Sequence, residues 1–317
     1  MSYIDFHCDT LSRLYTLNQD KNSNETLFEN KGHLDINRLI KSRSLAQFFA
    51  CFIDRGIAPI SASHYEDVFG MIKVLKDNLE KENTAALALS FEDYLKNKEN
   101  GILSCFLTVE EGGILDGDIR RLKTLYENGI RLITLTWNYE NCIGYPHNMS
   151  TQTGTGLKPF GMDVIEQMED LKMLIDVSHL SDAGFYDVLE HTTRPFIASH
   201  SCCRALCPHS RNLTDEMIRA IGERQGLVGL NFYGTFLSPD KRSTIDAILK
   251  HLKHLINIGG IDIAAIGTDY DGMDGYLELA GCQDLPKLID AMEKDKFTSS
   301  QIDAICFKNA ERVLSLI

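Results

Sequence analysis

The sequence predicts an α/β protein whose parallel strands close into a single TIM-like (β/α)8 barrel over residues 1–317. Short apolar runs alternate with longer amphipathic segments, and eight such strand–helix units can be counted. No linker rich in proline, glycine or serine divides the chain, so we expect one domain. An open doubly wound sheet is the alternative, because periodicity alone does not show closure.

The candidate strands are apolar runs of 4 to 9 residues, which is typical of strands buried on both faces. Parallel strands of this kind need a crossover between them, and helices usually supply it. The runs are Tyr3–His7, Leu45–Ile53, Ile102–Val109, Leu132–Thr136, Leu174–Val177, Phe196–Ser199, Leu227–Phe232 and Ile263–Gly267, with Ala85–Ser90 as a candidate extra strand.

The segments between these runs repeat their apolar residues at the spacing of a helix with one buried face. Two more segments of this type follow the last strand. The predicted helices are Tyr65–Lys81, Ile119–Asn128, Pro159–Lys172, Ser181–His191, Asp215–Gln225, Thr244–Ile258, Leu285–Lys294 and Ser299–Leu316.

Composition excludes several classes of partner. With 45 acidic and 32 basic residues, the net charge of −13 has the wrong sign for binding nucleic acid. The chain begins with no signal-peptide pattern and has no apolar run of about 18 residues, so we expect neither export nor membrane insertion. The nine cysteines follow no disulfide framework, which favours the reducing cytoplasm.

Five predicted strands end in side chains suited to metal binding or acid–base chemistry. A lone histidine is usually a hydrogen-bonded core or loop residue, but ligand-type residues at several strand ends meet at one edge of a parallel sheet. Together they could hold two divalent ions bridged by a carboxylate, a centre suited to hydrolysis. They are His7 with Asp9, predicted to share one face of the first strand, then Glu110 with Glu111, His179, His200 and Asp269.

The same residues lie in an ordered series of motifs that resembles the membrane (renal-type) dipeptidases, zinc peptidases of the amidohydrolase superfamily. Each motif is weakly specific, but the resemblance runs from the first strand to the last helix and the ordered series is highly specific. The motifs are DFHCDT near the N-terminus, GHLDINRL at Gly32–Leu39, VEEGG at Val109–Gly113, GIRLITLT at Gly129–Thr136, LIDVSHLS at Leu174–Ser181, PFIASHS at Pro195–Ser201, SRN at Ser210–Asn212 and IGTDYDG at Ile266–Gly272.

The resemblance implies a barrel with two zinc ions and a dipeptide substrate. It implies that His7 and Asp9 bind one ion, that His179 and His200 bind the other, and that a glutamate bridges them. The family shows a single glutamate before its glycine pair, whereas this chain has two. Spacing back from GIRLITLT favours Glu110, and Glu111 is kept as the alternative.

The resemblance also implies substrate contacts. Arg211 matches an arginine that binds the substrate carboxylate, and a guanidinium fits a carboxylate with two hydrogen bonds. Asp269 would transfer a proton and hold the substrate amino group, with its pKa lowered beside two cations. Trp137 stands where the family usually has a carbonyl-polarising histidine, so it is expected to form an apolar wall, and His147 or Asn138 could supply the missing donor.

Three functional hypotheses follow. The first is a cytoplasmic zinc dipeptidase that uses metal-activated water. The second keeps the metal centre but acts on another small amide or lactam, because Trp137 alters the pocket. The third is a catalytically silent metal-binding homologue. We also consider a homodimer as the assembly of this chain.

Overall fold

The protein is described by a computed structural model covering residues 1–20, 23–149 and 154–317. The predicted barrel is confirmed, since eight parallel strands form a closed ring. In chain order the strands are β1 (Tyr3–Asp5), β2 (Ser44–Phe52), β3 (Ala85–Leu87), β4 (Leu103–Glu110), β5 (Ile130–Thr134), β6 (Leu174–Asp176), β7 (Ile197–Ser201), β8 (Leu227–Leu230), β9 (Arg242–Ser243), β10 (Ala264–Ile266) and β11 (Tyr276–Leu277).

Helices cover the outside of the ring, and none in the described part of the chain is both long and apolar enough to cross a membrane. A π-helical turn over Ala304–Lys308 joins the last two. The helices are α1 (Thr10–Leu17), α2 (Ile36–Lys41), α3 (His64–Leu79), α4 (Phe91–Glu99), α5 (Arg120–Glu127), α6 (Pro159–Asp170), α7 (Asp182–His191), α8 (Asp215–Glu223), α9 (Gly234–Leu237), α10 (Ile245–Gly259), α11 (Leu285–Lys294), α12 (Ser299–Asp303) and α13 (Asn309–Leu314).

Two strand pairings close the ring. β2 pairs with β4 along most of its length, and β1 pairs with β10 at Asp5 and Ile266. The buried Asp5 carboxylate reinforces the second seam, because it accepts hydrogen bonds from the main-chain nitrogen of Thr268 at 2.8 Å and from its hydroxyl at 2.7 Å. β3 lies outside the ring, beside the first half of β4, and β9 pairs with β11 separately.

Aromatic rings fill the barrel interior below the carboxyl-terminal ends of the strands. Phe6 and Phe48 stack with ring centres 4.6 Å apart, and Phe48 and Phe106 stack at 4.8 Å. Phe106 and Glu110 are four residues apart on β4, so strand alternation directs both into the barrel. The stacked rings therefore lie on the same side of β4 as Glu110, nearer to the start of the strand.

Each predicted barrel strand overlaps an observed one, but three boundaries affect the site. β1 ends at Asp5, so strand alternation does not bring His7 and Asp9 together as predicted. Main-chain hydrogen bonds do so instead: Asp9 donates to Tyr270 at 2.9 Å, and Asp269 donates to the His7 carbonyl at 3.2 Å. β4 includes Glu110 as its last residue. β7 extends to residue 201, so His200 lies within the strand rather than after it.

Candidate metal and active site

Glu110 lies at the centre of a histidine cluster where the barrel strands end. Its Oε2 is 3.2 Å from His7 Nε2. Its Oε1 is 3.0 Å from His179 Nε2 and 3.5 Å from His200 Nε2. Because its two oxygens face different histidines, Glu110 has the geometry of a bridging carboxylate.

Two further carboxylates face His7 from the other side. Its Nε2 is 3.7 Å from Asp9 Oδ2 and 3.9 Å from Asp269 Oδ1. Asp269 has a backbone φ of +67°, and its Oδ2 accepts a hydrogen bond of 2.9 Å from Asn231. Gly272 allows this close approach, because a Cβ there would lie only 2.0 Å from Asp9 Oδ2.

Hydrogen bonds at the outer nitrogens orient His179 and His200. Ser199 Oγ donates to Asp176 Oδ2 at 2.5 Å, so it can only accept from His200 Nδ1 at 2.7 Å. His179 Nδ1 lies 3.1 Å from Asn138 Oδ1, an acceptor. His200 therefore carries its proton on Nδ1, and His179 does so with the Asn138 amide in this orientation, which leaves the two Nε2 atoms as acceptors only 3.2 Å apart.

Hydrogen-bond acceptors that lie close together with no hydrogen between them are suited to binding a cation, because each can give a lone pair to the ion. Two groups of candidate ligands share His7: one adds Glu110 and His200, and the other adds Asp9 and Asp269. Both ring nitrogens of His7 are buried, as is Asp9 Oδ1. None of these three atoms makes a hydrogen bond to a described residue. Mixed imidazole and carboxylate ligands suit zinc, so the residues fit the metal that the sequence predicted.

Burial and mutual charge perturb this cluster. Burial raises the pKa of Glu110 to about 7, although His7 opposes the rise. Burial also lowers the pKa values of His179 and His200, and the Arg211 charge adds to both effects. Burial raises the pKa of Asp269 to about 6. Two bound cations would lower this pKa, as expected from the sequence, and would have to offset the effect of burial.

Glu111, the alternative bridging residue, faces away from the histidines. Its carboxylate accepts hydrogen bonds from the main-chain nitrogens of Gly113 and Trp137, each at 2.9 Å. The Asn141 side chain donates to it at 2.7 Å. With its own φ of +92°, Glu111 shapes the loop that follows β4.

A cavity of about 800 Å³ opens above the cluster, a size typical of small-molecule sites. Asp9, Glu110, His179 and Asp269 all reach its wall. Trp137 lines it too, with its ring edge-on to Phe52 at 4.9 Å and to Tyr139 at 5.5 Å. The expected apolar wall at Trp137 is therefore present.

Arg211 lies behind the cluster and is only 3% exposed. Its Nη1 donates to Ser201 Oγ at 2.7 Å and its Nη2 donates to the His200 carbonyl at 2.8 Å. Its Nε has no hydrogen-bonding partner among the described residues. The arginine is thus beside the site, but it is not among the residues that line the cavity.

The sequence reasoning missed the residues that support the ligands. Asp176 accepts hydrogen bonds from the hydroxyls of Thr134 and Ser199 and from the main-chain nitrogens of Ser178 and Ser199. The signal was present, because Asp176 and Asp5 are acidic residues inside apolar runs, where an ionised side chain needs several donors. Both carboxylates join neighbouring strands directly beneath the histidines.

Comparison with known proteins shows which family and which proteins this chain is similar to. The profile described as membrane dipeptidase, peptidase family M19, matches residues 1–317. A Klebsiella pneumoniae protein from the pqqA 5′ region is 39% identical over 236 residues, 72% of this chain and 87% of that protein. An uncharacterized dipeptidase of Schizosaccharomyces pombe is 30% identical over 308 residues, 90% of this chain and 73% of that protein.

Two solved structures share the barrel. Dipeptidase AC, a metallo peptidase of family M19, is 25% identical with a TM-score of 0.90, covering 99% of this chain and 98% of that chain. A metallo peptidase from Rhodobacter sphaeroides, bound to a phosphinate mimic of the dipeptide L-Ala-D-Ala, is 25% identical with a TM-score of 0.91 and the same coverage. The similarity therefore extends across the whole barrel.

Proposed function

We propose, from the premise that this chain belongs to the membrane dipeptidase family, that it hydrolyses dipeptides with two zinc ions at the Glu110 cluster. Membership of this family makes the chain a metal-dependent dipeptidase. The choice of zinc, the number of ions and the ligand set are our proposal. The ligands would be His7, Asp9, Glu110, His179 and His200.

One observation carries this proposal: the Glu110 carboxylate places one oxygen 3.2 Å from His7 and the other 3.0 Å from His179. A single tetrahedral zinc accepts four ligands, fewer than the five side chains gathered here. When bound, the ions would lower the pKa of water and polarise the amide carbonyl.

Asp269 is the proposed acid–base residue. It lines the cavity, and the Asn231 amide holds its Oδ2 while its Oδ1 faces the cluster. From this position it can take a proton from the attacking water and give it to the leaving amine. An ionised Asp269 can also hold the substrate ammonium group.

Substrate recognition would use both faces of the cavity. Trp137 and Phe52 offer an apolar surface to a substrate side chain. We assign the substrate carboxylate to Arg211, because its buried Nε has no acceptor among the described residues. Slight rearrangement around Arg211 would be needed, since Ser201 and His200 already occupy part of the guanidinium.

The test is hydrolysis of a mixed dipeptide library by protein reconstituted with zinc, together with metal analysis. We expect two ions per chain, loss of activity on chelation and recovery when zinc is returned. A stable content of one ion with full activity would defeat the two-ion proposal. Hydrolysis of small amides or lactams but no dipeptide would favour the second hypothesis, and binding without turnover would favour the silent homologue.

A paired substrate series tests Arg211. Dipeptides with a free C-terminus should be hydrolysed, while the amidated versions should be poor substrates. Arg211→Lys keeps the charge but loses the paired hydrogen bonds, so kcat/KM for free dipeptides should fall by about 10- to 100-fold. An equal fall for amidated dipeptides would show that Arg211 supports His200 rather than binding the carboxylate.

We also propose a cytoplasmic location. All nine cysteines are free thiols, as expected in a reducing compartment.

A further inference from the structure

The side chain of Asn138 stands on the cavity wall beside His179. Its Oδ1 lies 3.1 Å from His179 Nδ1 and 3.2 Å from His147 Nε2. Both ring nitrogens are within hydrogen-bonding distance of the same oxygen. Because an amide oxygen has two lone pairs, it can accept from both rings.

The proposed metal centre fixes the orientation of the carboxamide. With His179 holding a metal through Nε2, its proton is on Nδ1, so the amide oxygen must face that N–H; turning the amide over would place the NH2 group against it. The Nδ2 of Asn138 then donates to no acceptor among the described residues, while its main-chain carbonyl is already occupied by the side chain of Asn148 at 3.2 Å. A preoriented N–H donor therefore remains on the side away from the two rings.

Hydrolysis of an amide is faster with such a donor, which would add to the polarisation that the proposed metal ions supply. As water oxygen bonds to the carbonyl carbon, the electron pair of the C=O double bond moves onto oxygen, which becomes negative until the C–N bond breaks. The ionised carboxylates at the base of the cavity, Asp9, Glu110 and Asp269, can only accept hydrogen bonds. The nearby Tyr233 hydroxyl already donates to Asp274 at 3.0 Å.

We propose that Asn138 Nδ2 donates a hydrogen bond to the carbonyl oxygen of the scissile amide and strengthens that bond as the oxygen becomes negative. This deepens the proposed dipeptidase function and rests on it. Asn138 would be a catalytic residue, and its Oδ1 would also position His179. The two roles belong to different atoms of one side chain, so substitution can separate them.

Asn138→Asp is the decisive variant, because it keeps an oxygen acceptor for His179 and His147 but removes the N–H donor. We expect the zinc content to be retained, since a carboxylate partner supports a ligating histidine. We expect kcat to fall by about 10²- to 10³-fold, as for loss of one oxyanion donor, while KM changes by less than about threefold. Asn138→Leu should show the same loss of kcat and should also bind zinc more weakly.

Binding of a phosphinate dipeptide mimic measures the same interaction without turnover. Its affinity should fall by about 10- to 100-fold in both variants, as for loss of a hydrogen bond to a charged group. Loss only in Asn138→Asp would reflect charge repulsion and overturn the proposal. If Trp137→Phe lowers the phosphinate affinity and Asn138→Asp does not, the donor is the indole N–H and the proposal is wrong.

Asn100→Asp is the matched control. Asn100 is exposed at the end of α4 and its amide donates to the main-chain carbonyl of Lys96 at 2.6 Å, so the substitution makes the same chemical change away from the cavity. We expect its kcat, zinc content and phosphinate affinity to stay within about threefold of the parent values, as is usual for exposed positions. Absence of dipeptide hydrolysis by the parent protein would refute the proposed function, whereas the phosphinate affinities would still decide the role of Asn138.

Discussion

Ser199→Ala should weaken metal binding at His200 without removing any metal ligand. Ser199 Oγ accepts from His200 Nδ1 at 2.7 Å and donates to Asp176 Oδ2 at 2.5 Å. In the variant, Asp176 Oδ2 keeps its 2.6 Å hydrogen bond from Thr134, but the His200 N–H becomes a buried donor without an acceptor. An unsatisfied buried donor costs about 1–3 kcal/mol.

The loss should appear in two measurements. The free energy of unfolding of the metal-free protein should fall by about 2 kcal/mol, within the range for an orphaned polar group. Zinc affinity should fall by about 10- to 100-fold, the usual effect of losing the outer partner of a ligating histidine. Competition with a chromophoric chelator measures the second quantity independently of catalysis.

Ser104→Ala supplies the control. Ser104 is also a buried strand serine, and its hydroxyl accepts one hydrogen bond, from Asn97 at 3.1 Å. It precedes Glu110 by six residues on β4, which is about 20 Å along a strand. This variant should lose stability but keep its zinc affinity. Unchanged zinc affinity in Ser199→Ala, or an equal fall in Ser104→Ala, would refute the proposed support of His200.

Three other predictions concern single side chains. Glu110→Gln should lose metal. Glu111→Gln should keep metal and lower the melting temperature, because Glu111 pairs with Gly113, Trp137, Asn141 and Arg55 rather than with the histidines. Metal analysis and thermal unfolding distinguish the two variants, and the reverse pattern would make Glu111 the ligand. Asp269→Asn should lower kcat by about 10²- to 10⁴-fold with metal content unchanged, and loss of a metal ion would instead identify Asp269 as a ligand. Burial, with a contribution from Arg211, lowers the pKa of His147 from 6.5 to about 3. Between these pH values the unfolded chain binds more protons than the folded protein, so the free energy of unfolding falls as the pH drops below about 6.5. His147→Gln should make that dependence less steep in denaturant unfolding at pH 7 and pH 5, while His179, His200 and His251, whose pKa values burial also lowers, keep their own contributions. An unchanged slope would contradict the lowered pKa of His147.

The barrel was predictable because its buried strands are near-continuous apolar runs. Helix α1 was not predicted, since Thr10–Leu17 is short and carries polar residues within its pattern. The choice of Glu110 over Glu111 follows from strand alternation once β4 is known to end at Glu110. The enclosure of Arg211 could not be predicted, because a motif gives the order of residues but not which atoms their neighbours already occupy.

Local hydrogen bonding also lies beyond sequence reasoning. Asn138 Oδ1 lies beside the rings of His147 and His179, and those rings come from separate loops. Pairing of this kind depends on distances of about 3 Å, whereas periodicity only identifies which elements are neighbours.

The pairing of β1 with β10 links metal binding to completion of the chain. Asp5 and Thr268 are 263 positions apart, and His7 and Asp269 meet beside them. An unfinished chain that lacks β10 contains all five proposed ligands, but it lacks Asp269 and Tyr270, the main-chain partners that hold His7 and Asp9 in place. The proposed ligand set would then be present but not assembled. Tight metal binding would therefore indicate a closed barrel, and an unfinished chain should bind metal weakly and be inactive.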